Sequence, residues 1–111
     1  MKQAVHHWVA QRLTAVILVP FCLWFIFTLA NMSGMDHATV NTWIKSPWHS
    51  VLLILFILML FYHAQLGLQV VVEDYISNEN LRNNSIILCK IAMLLAGLVS
   101  ILSVLKIALG L

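Results

Sequence analysis

The segment 51–72 is an almost unbroken apolar run, and His63 sits in its interior, the one ionisable residue far from both ends of such a run. In lipid such a side chain is costly and marks a functional site by default. A neutral imidazole is a strong axial ligand for haem iron. The neighbours suit a flat macrocycle, because Ala64 and Gly67 are small and Gly67 falls one turn beyond His63. The competing reading is a histidine hydrogen-bonded to a neighbouring helix. Spacing alone leaves both open.

A low-spin electron-transfer haem needs a second axial ligand. His6 and His7 precede the first apolar run, His37 lies in a polar stretch and His49 opens the second run. No other histidine is at the right depth, so a bis-histidine haem at His63 would lie between this chain and a second polypeptide. One alternative uses His49, fourteen residues earlier on nearly the same helical face, to hold a second haem stacked above the first. Against it, His49 is beside Trp48 at a membrane boundary, where a histidine needs no ligand role.

Asp74 follows His63 by eleven residues. At 100° per residue that returns to within about 20° of the same face, about 16 Å further along. Tyr75 comes next, offering a phenol at the membrane boundary. A lipid-soluble quinone can place its head group there and keep its tail in lipid. Quinone reduction takes two electrons and two protons, so a phenolic donor beside a water-connected carboxylate is a workable arrangement. The plainer reading is an interfacial tyrosine and a solvated aspartate ending a helix. Arg12 opens the first apolar run, where its guanidinium can meet a haem propionate or the quinone region, or simply snorkel to lipid phosphate.

These residues need elements that span a bilayer. Three apolar stretches, about 13–30, 51–72 and 86–109, are each long enough to cross a hydrocarbon core of about 30 Å as a helix. Backbone groups in lipid must pair within the segment, so the fold class is all-α, a three-helix transmembrane bundle forming one domain over 1–111. Pro20 removes one backbone donor from the first helix without ending it. The connections 31–47 and 73–85 are polar and read as loops. The polar start, Met1 to Arg12, precedes an apolar run too long for a signal-peptide core, so the first segment is expected to stay as a helix.

Composition agrees. Of 111 residues 62% are hydrophobic and 9% charged, and the six Lys or Arg occur without a basic run that would track nucleic acid. A chain this short cannot enclose a large active site, so its chemistry must use a cofactor or partner subunits. Cys22 and Cys89 fall in apolar stretches and read as packing residues. Lys2, Arg12, Arg82 and Lys90 share one side against Lys45 and Lys106 on the other, which favours the N-terminus inside and the C-terminus outside.

The run HAQLGLQVVVEDYI, with His63, Ala64, Gly67, Asp74 and Tyr75, resembles the helix-two signature of the succinate dehydrogenase hydrophobic membrane anchor subunit family, the smaller anchor of complex II. QRLTAVIL, with Arg12, Thr14 and Ala15, is similar to that family's helix-one opening. The resemblance implies that His63 ligates haem b together with a histidine of the larger cytochrome b556 anchor, itself a three-helix subunit. It implies that Tyr75 hydrogen-bonds ubiquinone with Asp74 beside it, and that Arg12 lies near the haem propionates and quinone pocket. It further implies that the anchor pair docks an iron-sulfur subunit and a flavoprotein subunit, which pass electrons from succinate to quinone. No dehydrogenase active site is then expected in this chain itself. The expected location is a bacterial inner membrane or a mitochondrial inner membrane, the absence of an Arg-rich leader favouring a bacterial or organelle-encoded product. The rival expectation is a haem-free structural or assembly subunit in which His63 and Asp74 only hydrogen-bond or relay protons.

Overall fold

The computed structural model describes residues 2–111, and Met1 lies outside them. It is all-helical: α1 (Lys2–Asn31), α2 (His37–Lys45), α3 (Pro47–Tyr75) and α4 (Glu79–Ala108). Three helices, from Ala4 in α1 and over the whole of α3 and α4, are long and apolar enough to cross a membrane. Helix α1 runs unbroken through Pro20.

The helices extend beyond the apolar runs. α1 begins well before residue 13, and α4 begins at Glu79 rather than near 86. The expected loop 73–85 shrinks to Ile76, Ser77 and Asn78, because Asn78 caps α4, its side chain accepting from the Leu81 N–H at 3.0 Å. Glu79 in the first turn suits the positive end of the helix dipole. Helical hydrogen bonding continues into polar sequence wherever a cap starts it, whereas hydropathy registers only the part lying in hydrocarbon.

The expected loop 31–47 likewise holds a helix. Gly34 adopts φ +85°, a left-handed turn that reverses the chain after α1. Asp36 then caps α2, accepting the Thr39 N–H at 2.9 Å. Ser46 is extended, as a residue before proline must be, and separates α2 from Pro47 in the first turn of α3.

Helix α3 is the centre. It packs against α1 on one face and α4 on the other, α2 touches α3 and α4, and α1 and α4 do not approach each other among the described residues. The three long helices therefore stand in a row. On the α4 side, Gly97 is buried against the ring of Phe61, where the missing side chain lets the two backbones approach. A cleft of about 540 Å³ opens beside this contact, lined by Tyr62, Gln65, Lys90 and apolar side chains. Along the same side of α3, Gln65 donates to Gln69 at 3.1 Å and Gln69 donates to Glu73 at 3.0 Å, one turn apart each time.

Few side chains are buried. Leu18, Phe56 and Leu66 form the apolar core among the described residues, and most of the long hydrophobic side chains are exposed. Against lipid that exposure costs nothing, so helix association rests on close packing and polar contacts.

Candidate functional site

The α1–α3 seam carries His63. Thr14, Leu18, Phe21 and Phe25 recur at four, seven and eleven residues, the stripe one face of a helix presents. Thr14 Oγ1 lies 2.8 Å from His63 Nδ1. Seven residues further along α1 and seven back along antiparallel α3, Phe21 stacks on Phe56 with centroids 6.1 Å apart, and Phe25 lies 4.9 Å from the same ring. Thr14 and Phe56 are both buried, so two contacts of different chemistry fix one register.

His63 itself is half-buried. Its Nδ1 faces Thr14, and its Nε2 has no hydrogen-bond partner among the described residues. The histidine is thus bonded to a neighbouring helix through one nitrogen, as the plainer reading expects, and its other nitrogen is left without a partner among the described residues. One turn on, the position a Gly67 side chain would occupy meets no atom within 4 Å. The backbone there is bare, and a flat group can lie against it.

Asp74 and Tyr75 end α3 and are both exposed, Tyr75 to 84%. Asp74 returns to the His63 face by helical geometry, whereas Tyr75 is turned about 120° from it and sits about 18 Å along the helix from His63. They lie at the end of the molecule that holds the start of α1 and the α3–α4 turn. Arg12 is exposed, its guanidinium 5.5 Å above the Trp8 ring. Two residues before Thr14, it projects about 160° away from the stripe that meets α3. Within this chain, then, Thr14 is brought to His63, while Arg12 and Tyr75 are turned toward surfaces outside the seam.

His49 lies at the opposite end of α3, about 21 Å from His63. Its ring stacks on Trp43 with centroids 4.0 Å apart and planes 12° from parallel, its Nδ1 is 3.0 Å from the Trp43 carbonyl oxygen, and Trp43 stacks in turn on Trp24. This stack ties α2 to α1 and α3. No group of three or more His, Cys, Asp or Glu converges among the described residues. His63 is a lone candidate ligand, and both cysteines are free.

Thr14 entered the sequence reading only as part of a motif. The signal available was its place on the 14–18–21–25 stripe, a hydroxyl aligned with core residues.

Residues 1–101 match the family described as succinate dehydrogenase/fumarate reductase transmembrane subunit. A succinate dehydrogenase hydrophobic membrane anchor subunit of Rickettsia bellii is 42% identical over 105 residues, covering 93% of this chain and 82% of the relative. The subunit of the same description from Rickettsia conorii is 41% identical over 92 residues, covering 81% and 72%. A succinate dehydrogenase membrane anchor subunit of Reclinomonas americana is 30% identical over 93 residues, covering 81% and 78%. With its three long apolar helices the protein is a multi-pass membrane protein. The chain belongs to the succinate dehydrogenase/fumarate reductase transmembrane subunit family, as the match over 1–101 and the relatives together establish.

Proposed function

We propose that this chain is the smaller membrane anchor of a succinate:ubiquinone oxidoreductase, that His63 ligates a b-type haem shared with the larger anchor, and that Tyr75 and Asp74 serve the ubiquinone site. The observation that carries the haem reading is the Nε2 of His63, without a hydrogen-bond partner among the described residues, beside the bare backbone of Gly67. A mid-span imidazole with a free lone pair next to open space fits a porphyrin iron on the donor chemistry. When bound, the haem supplies a one-electron redox centre. His63 holds it at a set depth, and Gly67 keeps that wall flat.

Tyr75 and Asp74 stand at the helix end, where an exposed phenol can donate to a quinone carbonyl while the carboxylate exchanges protons with water. Arg12, turned away from α3, is available to anionic groups on a partner subunit or to haem propionates held between subunits. The charge distribution favours the α1 start and the α3–α4 turn on the inner side, where the iron-sulfur and flavoprotein subunits would dock. The relatives' names support assembly into a succinate dehydrogenase. The membrane would be a bacterial or mitochondrial inner membrane.

The test is a reduced-minus-oxidised spectrum of the complete purified complex, wild type against His63→Ala, with succinate-to-quinone activity alongside. The expected result is a cytochrome b band that vanishes or shifts in the variant. A wild-type complex without such a band would leave a haem-free structural subunit. For the quinone role, Tyr75→Phe is expected to depress quinone reduction while succinate still reduces an artificial acceptor; unchanged quinone reduction would remove Tyr75 from the site.

A further inference from the structure

Thr14 is 6% exposed, and its hydroxyl has three polar neighbours: the Ala10 carbonyl oxygen at 2.7 Å, the Gln11 carbonyl oxygen at 3.1 Å and His63 Nδ1 at 2.8 Å. A hydroxyl has a single proton, and carbonyl oxygens only accept. If that proton went to His63, the Thr14 oxygen would face the Ala10 oxygen at 2.7 Å with lone pairs opposed. The proton therefore goes to the backbone of α1, and the hydroxyl oxygen is left as an acceptor aimed at His63. The hydrogen in the 2.8 Å contact must come from the imidazole, as Nδ1–H. A neutral imidazole carries one N–H, so Nε2 holds the lone pair.

We propose that Thr14 is a positioning residue, an acceptor locked to the α1 backbone that holds His63 in the tautomer and ring orientation whose Nε2 can take an iron. The proposal rests on the haem reading of His63 and deepens it. Histidine ligands commonly donate their second nitrogen to an acceptor that fixes the ring and raises its basicity. Here the acceptor is neutral and comes from another helix, so the α1–α3 seam itself sets the ligand. Removing it leaves a poorer electron donor and a freely rotating ring, with weaker haem retention and a higher midpoint potential.

The test compares Thr14→Val, close in shape but without the hydroxyl, with Thr14→Ser, which keeps the hydroxyl and loses the methyl. Both are purified as the complete complex. Haem per complex is followed during dilution, the midpoint potential is titrated, and succinate reduction of an artificial acceptor reports assembly. Thr14→Val is expected to retain haem roughly 10- to 100-fold more weakly, with its potential moved upward, and Thr14→Ser to match wild type in both. Should Thr14→Val fail to assemble, Thr14→Ala against Thr14→Ser gives the same comparison. The proposal is overturned if the variants lacking the hydroxyl match wild type, or if Thr14→Ser shifts as far as they do, which would assign the effect to methyl packing. A wild-type haem band that survives His63→Ala intact would instead sink the haem reading, and the two failures are distinguishable.

Discussion

His49 and Trp43 lie face to face, centroids 4.0 Å apart, with the imidazole Nδ1 3.0 Å from the Trp43 carbonyl oxygen. The second stack, Trp43 on Trp24 at 6.0 Å, extends the contact to α1. A stacked, hydrogen-bonded imidazole at this end of α3 is explained by anchoring α2. His49→Phe, which keeps the ring, is expected to leave the haem content of the complex unchanged, whereas His49→Ala should speed amide exchange across α2. A halved haem content in His49→Phe would revive the two-haem alternative.

Gly97 and Phe61 set the α3–α4 spacing. A Cβ on Gly97 would stand 3.7 Å from the Phe61 ring, an ordinary contact. Gly97→Ala is therefore expected to be tolerated. Gly97→Leu must push the helices apart, at about 1–3 kcal/mol, and should lower the midpoint of thermal unfolding in detergent.

Phe56 closes the α1–α3 seam between two aromatic partners. Phe56→Leu removes both pairs, each worth about 1 kcal/mol beyond area burial. Because lipid replaces much of the lost apolar contact, the expected effect is a modest fall in unfolding midpoint, with haem retention weakened as the seam beside His63 loosens.

Asp36 links pH to the start of α2. The Thr39 hydroxyl and then the Thr39 N–H hold its carboxyl below its ordinary value of 3.8. A depressed carboxylate stabilises the fold above the unfolded-state value, and that stabilisation is lost as pH falls through the folded value. Amide protection at the start of α2, taken relative to the intrinsic exchange rate at each pH, is expected to be flat at neutral pH and to fall only in acid below the ordinary carboxylate range. Asp36→Ala should show the weaker protection already at neutral pH, with the gap to wild type narrowing in acid.

The three spans were legible because lipid demands long uncharged runs, and the mid-span His63 stood out for the same reason. Helix ends were not, since hydropathy falls silent where Asn78, Glu79 and Arg82 continue a helix in polar surroundings. Two of the helix starts that hydropathy misplaces or omits, those of α2 and α4, nonetheless have capping residues in the sequence, Asp36 and Asn78. The partnership of Thr14 with His63 joins residues 49 apart and depends on the register of two helices. No local pattern encodes it, although the 14–18–21–25 stripe marks the face on which it occurs.

The row of long helices has a consequence for biosynthesis. Since α1 and α4 do not approach each other among the described residues, the Thr14–His63 contact is made by two helices that both lie within the first seventy-five residues. A nascent chain can bring Thr14 against His63 as soon as α3 has entered the bilayer, before α4 has left the ribosome. The last helix then arrives as a buttress on the far side of α3, so a truncated product lacking α4 should still present the histidine, on a less supported scaffold.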